Sequence, residues 1–210
     1  MKSENQNKID IGKFSSFERM EKVPPLKMIL YCSMVGMSVL FLILVFMFLK
    51  NLPATSGEAM LTMPKLFSVS TVLILISGFF IHRIPEFYKQ DELRNMNVHL
   101  IWALGLGAAF AFSQVVAWNE LISTKVELAE NSSGMVLFLL SALHLLHVAG
   151  GIAFSSFLYL KSKRAASDPV RTLIYIRDPF RNMQIEMLRS YWHFLGALWL
   201  SLYFIFLFSI

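Results

Sequence analysis

Cysteine is almost missing from this chain: Cys32 is the only one in 210 residues. A disulfide needs two thiols, so a disulfide scaffold is excluded. A dinuclear copper–thiolate centre and an iron–sulfur cluster are excluded for the same reason. Charge is scarce as well. Charged residues make up 16% of the chain, against about 25% in soluble domains. With 56% hydrophobic residues and a mean hydropathy of +0.57, the chain is neither a soluble globular enzyme nor a disordered protein. Ten glycines are too few for a collagen-like fibre. No glycine loop that cradles phosphate, no HExxH and no GxSxG motif occurs, so nothing marks an autonomous enzyme.

Long apolar runs are what the chain has in quantity. A helix needs roughly 20 mostly apolar residues to cross the hydrocarbon core. Five segments satisfy this: about 26–49, 66–84, 98–118, 134–160 and 190–210. Prolines mark several of their ends, with Pro24 and Pro25 before the first, Pro53 and Pro64 before the second, and Pro85 closing it. No segment alternates with a period of two, which argues against a β-barrel. The expected fold is all-α: a polytopic membrane bundle of five transmembrane helices over residues 26–210. A polar arm, residues 1–25, precedes it; it carries both signs of charge and does not read as a secretory signal. Residues 161–189 form a basic connection, read either as a plain loop or as a short amphipathic helix lying on the membrane through Val170, Leu173, Ile174 and Ile176.

Lysine and arginine set the orientation. Sixteen fall on the side of the arm, the second-to-third connection and the 161–189 connection, and only Lys50, Lys65 and Lys125 fall on the other. The positive-inside rule then puts the amino terminus in the cytoplasm and the carboxyl terminus outside; the membrane expected is a bacterial-type inner one. The formal charge of +5 reflects this asymmetry and the anionic headgroups it faces. Basic surfaces interleaved with aromatics do not occur, so no nucleic-acid partner is expected.

No Asp or Glu lies in the middle of a span, and Glu120 comes nearest, just past the third. Proton relays across bilayers usually use intramembrane charge, so this chain has no carboxylate pathway of its own. The polar residues that remain are His144 and His147 in the fourth span, Gln114 in the third, and His82, His99 and His193 at cytoplasmic helix ends. The i, i+3 spacing puts His144 and His147 on one helix face. They read either as ligands or relays, or as hydrogen-bonding groups that fix helix packing, and both should face another helix. Gln114 reads as an interhelical bonding group. Small residues form packing stripes, Ala103–Gly107–Ala111 in the third span and His147–Gly151–Ser155 in the fourth. The aromatic run from Tyr203 to Phe208 faces lipid or a partner subunit.

Four motifs then occur in order. The fourth span's His144-Leu145-Leu146-His147-Val148-Ala149-Gly150, followed by Gly151, resembles HGLHVxxG. The fifth span's Tyr191-Trp192-His193-Phe194 through Trp199 resembles YWHFVDVVW. The third span, from Leu104-Gly105 through Phe110 to Gln114 and Trp118, resembles LGxxFxxxQxxxW. Leu61 to Phe67 with Ser70-Thr71 resembles a proline-then-Ser-Thr helix entrance. Together they resemble subunit III of the haem–copper cytochrome oxidases in its short five-helix form, over residues 26–210. There are departures. Longer members carry two further helices at the amino end and a glutamate in the helix matching the first span, the family's aspartate is Gly196 here, and Leu145 stands where a glycine is usual.

The resemblance implies an accessory subunit with no catalytic residue, cofactor or metal of its own. Haems and copper are expected on partner subunits I and II. The family packs on subunit I, holds phospholipids in a cleft, and supports proton uptake and sustained turnover while the complex reduces dioxygen with electrons from cytochrome c. Its signature residues here, expected to serve packing, are Gly107, Gln114, His144, His147, Gly150, Gly151, Tyr191, Trp192, His193, Phe194 and Trp199. A related subunit of a quinol oxidase or a partner of a nitric oxide reductase fits the same motifs. A five-helix dihaem cytochrome b would need facing histidines at two matched depths, and a small transporter would want a broken helix or midplane charge.

Overall fold

The computed structural model describes residues 24–51, 66–123 and 132–209. Among them are six helices and no strand: α1 Pro25–Lys50, α2 Leu66–Lys89, α3 Leu93–Ser123, α4 Ser132–Ala165, α5 Pro169–Arg177 and α6 Pro179–Ser209. All but α5 are long and apolar enough to cross a membrane. The proline entrance at Leu61–Pro64, the polar arm and Ile210 lie outside the described residues.

The helices outrun the apolar segments. At 1.5 Å per residue, the 34-residue α4 is about 51 Å long, well beyond the roughly 30 Å hydrocarbon core. The excess is the polar stretches flanking each apolar run. α3 starts five residues before Val98, and α6 starts at Pro179 rather than near Ser190. Pro85 does not close α2, which runs on to Lys89. Proline removes one ladder bond, and the last turn survives here because it packs: Pro85 and Tyr88 are buried.

The basic 161–189 connection is therefore mostly helix. Asp168 caps α5, its carboxylate accepting from the Val170 N–H at 3.0 Å, with Pro169 in the first turn. Asp178 does the same for α6 through the Phe180 N–H at 2.9 Å. Each pairing of an acidic cap with a following proline is a strong helix start. α5 is amphipathic. Val170, Leu173 and Ile174 are exposed, while Tyr175 is buried. The Tyr88 hydroxyl ties this corner to the end of α2 by donating to the Tyr175 carbonyl at 2.8 Å and to the Asp178 carbonyl at 3.0 Å. Burial pushes the Tyr175 phenol up from its ordinary pKa, against the opposing pull of the Arg181 guanidinium.

Successive long helices run antiparallel, so the α1, α3 and α6 starts share one end with the α2 and α4 ends and with α5. This is the basic end. α2 and α3 form the most intimate pair, and α4 and α6 complete the bundle. α1 lies outermost, with only Met37, Phe41 and Phe48 buried. It is held at the basic end by a Lys27–Glu186 ion pair of 2.7 Å. At the other end Phe48 meets Phe206 edge to face, centroids 5.3 Å apart. Phe206 is thus fully buried, whereas Phe204 and Phe208 of the same aromatic run are exposed. The run divides by helical period between core and surroundings.

Candidate functional site

The signature residues gather in two layers between α2, α3, α4 and α6. The first is built on Trp192. Its indole is buried and lies where α3 and α4 present glycines. A Cβ on Gly107 would stand 3.1 Å from two of its ring carbons, and a Cβ on Gly151 would stand 3.2 Å from a third. Both distances are tighter than ordinary van der Waals contact, so only glycine lets the ring sit this close to both backbones. Tyr191 covers the same seam and donates from its hydroxyl to the His147 carbonyl at 3.1 Å. Gly150 lies beside that hydroxyl. The central glycine of each small-residue stripe, Gly107 and Gly151, is the socket for this one aromatic.

The second layer is built on His144 and Trp199. His144 is fully buried. Its ring stacks on Trp199 with centroids 5.1 Å apart and meets the edge of Phe110 at 5.8 Å and of Phe41 at 6.4 Å. Among the described residues neither ring nitrogen has a hydrogen-bond partner. Trp199 is anchored through its indole N–H, which donates to Thr71 Oγ1 at 3.0 Å; Thr71 in turn donates to the Phe67 carbonyl. Towards the far end, Gln114 donates to Ser70 Oγ at 2.8 Å, and Trp118 donates to Ser141 Oγ at 3.0 Å. These bonds tie α2 to α3 and α6, and α3 to α4.

The two spaced histidines behave differently from each other. His147 is half-buried, and its Nδ1 bonds the Leu143 carbonyl of its own helix at 2.7 Å. A carbonyl only accepts, so Nδ1 carries the proton. The expected interhelical hydrogen bonds from these two rings are not seen among the described residues. His144 contributes ring stacking, and His147 satisfies itself locally and offers its backbone to Tyr191. Three residues apart on a helix differ by about 300° of rotation, enough to put one ring in the core and the other at its edge.

The remaining two signature residues point elsewhere. His193 stands at the basic end opposite His82, with Nε2 and Nδ1 3.3 Å apart. Phe194 lines an apolar groove of about 320 Å³ between α1 and α6, together with Ser38, Phe41, Ala197, Ser201 and Leu202. The serine hydroxyls of the groove donate to carbonyls in their own helices, which leaves the groove walls apolar. The polar supports Ser70, Thr71 and Ser141 accept from Gln114, Trp199 and Trp118, beside further interhelical bonds such as Ser77 to the Ala103 carbonyl and Ser68 with Tyr203. Ser70 and Thr71 stand in the helix-entrance motif of the sequence, whereas Ser141 had only its place one turn before His144 to mark it. Among the described residues, no three His, Cys, Asp or Glu side chains converge as a metal-binding group would.

No family model matches the chain. Curated proteins do. A probable cytochrome c oxidase subunit 3 of Mycobacterium bovis is 22% identical over 137 residues, covering 65% of this chain and 63% of that protein. The cytochrome c oxidase subunit 3 of Thermostichus vulcanus is 24% identical over 151 residues, 72% of this chain and 68% of that one. A probable cytochrome c oxidase subunit 3 of Nocardia farcinica is 24% identical over 137 residues. The match thus spans just under two thirds of the mycobacterial protein's length. The ordered motifs, the five apolar helices and these relatives together support placing the chain in the cytochrome c oxidase subunit III family.

Proposed function

We propose that the chain is an accessory, non-redox subunit III of a haem–copper terminal oxidase that reduces dioxygen with electrons from cytochrome c. In this role it stabilises subunit I, contacts subunit II within the complex, holds phospholipid, and supports proton uptake and sustained turnover. The observation that carries the reading is how the signature residues are spent. Trp192 lies against Gly107 and Gly151, Tyr191 bonds the His147 carbonyl, His144 stacks on Trp199 and Gln114 bonds Ser70, contacts that support a packing role, and the span interiors hold no carboxylate to relay a proton. The groove beside Phe194 has the apolar walls an acyl chain would use. A dihaem cytochrome b is disfavoured, because the closest histidine pair is only 3.3 Å apart across one hydrogen bond, with no space for a haem between the rings.

The test is copurification. The full-length tagged chain, extracted from its native membrane in mild detergent, should bring down partners carrying haem and copper. Recovery of the chain without any haem protein would overturn the assignment, and haem bound to the chain itself would favour the cytochrome b reading.

The orientation is a second expectation. An enzyme reporter active only outside the cytoplasm should work when fused after Ile210 and stay silent when inserted between Ser167 and Asp168. The reverse pattern would invert the topology and move the basic end outside, against the charge rule.

A further inference from the structure

We propose that His82 and His193 form an exchangeable site for a zinc-class divalent cation at the basic end of the bundle. The two rings come from different helices, α2 and α6, and stand with His82 Nδ1 and His193 Nε2 3.3 Å apart. Zinc binds imidazole nitrogen at about 2.0–2.1 Å with tetrahedral angles, which sets two ligating nitrogens about 3.3 Å apart. The pair has the spacing of one edge of a zinc tetrahedron, now spanned by a hydrogen bond whose proton would shift to the donor ring's other nitrogen as both lone pairs turn to the ion. An ion placed at bonding distance from both would sit only about 1.2 Å off the line between them. Each ring needs a modest turn to aim its lone pair, and the ring planes, 68° apart, do not block one another. Gly78, one turn before His82, leaves room for this: even a Cβ there would stand 3.7 Å from the His193 ring.

Access and charge define the kind of site. Both side chains are exposed on the bundle surface, at the end the charge rule assigns to the cytoplasm, where water would fill the positions the protein leaves open. Among the described residues no third His, Cys, Asp or Glu completes the set; Glu86, one turn along α2 and exposed, is the nearest carboxylate in sequence. Arg83 and Arg189 are close along the chain, and their charge opposes a cation. Two imidazoles, open positions and cationic neighbours describe an exchangeable site, unlike the closed four-ligand sites that hold structural zinc. Nitrogen donors favour zinc, nickel and copper over magnesium or calcium. A bound ion would staple α2 to α6 beside the Trp192 layer.

The test uses the full-length chain in detergent, purified by a tag without histidine and in a Cys32→Ser background, since that thiol is exposed. Zinc chloride is titrated by calorimetry, and thermal unfolding is followed with and without the ion. One zinc per chain should bind and raise the unfolding midpoint. His82→Gln and His193→Gln should each weaken binding at least about tenfold, or about 1.4 kcal/mol, and abolish the midpoint shift, while His99→Gln should leave both unchanged. Circular dichroism checks that the variants keep their helices, and His82→Cys with His193→Cys should restore zinc binding through thiolates. Equal zinc affinity in parent and both glutamine variants, or loss in one variant alone, overturns the site.

Discussion

Trp192→Ala should be the most disruptive single substitution in the bundle, lowering its stability by about 3 kcal/mol or more. Truncating a fully buried tryptophan in a soluble core costs about 3–5 kcal/mol, part transfer and part cavity. In a bilayer the transfer part shrinks, because lipid tails are as apolar as the core, and lost van der Waals contact carries the effect. The cavity would open between Gly107 and Gly151, where three helices meet and neither glycine has a side chain to fill it. The complementary change is Gly107→Leu. It drives a branched side chain into a ring already 3.1 Å from where its first carbon would sit, and overpacking of this kind costs about 1–3 kcal/mol. Trp192→Phe should be much milder. It keeps an aromatic in the socket and removes an indole N–H that has no partner among the described residues, so lost volume is offset by one fewer unsatisfied donor. The measurement is the unfolding midpoint in a detergent titration, alongside retention of the chain in its purified complex. An unchanged midpoint for Trp192→Ala would mean that α3, α4 and α6 are held together by something other than this ring.

The existence of five spans could be read from the sequence because the bilayer demands long apolar runs and the chain supplies five. Their ends could not. Arg181, Glu186 and Arg189 look like loop chemistry, but a helix leaving the membrane keeps its backbone bonds, and its charged turns are solvated there. Pro85 looked like a stop and is an interior residue, because burial of the turn containing Tyr88 outweighs one missing ladder bond. α5 was one of two readings for the basic connection, and its Asp168 cap with Pro169 was the signal that could have decided it. At the site, the small-residue stripes were legible as packing faces. What they pack against was not, because a stripe gives a helix face and no partner. That His144 is buried while His147 bonds its own helix depends on where α1 and α6 fall, which a spacing of three residues does not state.

His144 gives the sharpest separation between packing and chemistry. His144→Leu should change stability by no more than about 1 kcal/mol, while His144→Ala should cost about 2–4 kcal/mol. The argument rests on its surroundings: the ring is fully buried among Trp199, Phe110 and Phe41, and neither nitrogen is paired among the described residues. Replacing an unpaired polar group by an apolar one of similar size is close to neutral, because the orphaned donor and acceptor vanish with it. Truncation to alanine instead leaves the aromatic cage without its centre, and the cavity sets the cost. Turnover supplies the second axis. On the proposed function, if His144 only packs, the oxidase carrying His144→Leu should reduce oxygen at an initial rate within a few-fold of the parent, with this chain retained at parental levels. His144→Ala should lose the chain on purification and lose sustained activity with it. A hundredfold drop in initial rate for His144→Leu, with the chain fully retained, is about 2.7 kcal/mol in barrier. A packing residue replaced at nearly constant volume cannot produce that loss, so the result would return His144 to the role of ligand or proton carrier that its spacing with His147 also allows.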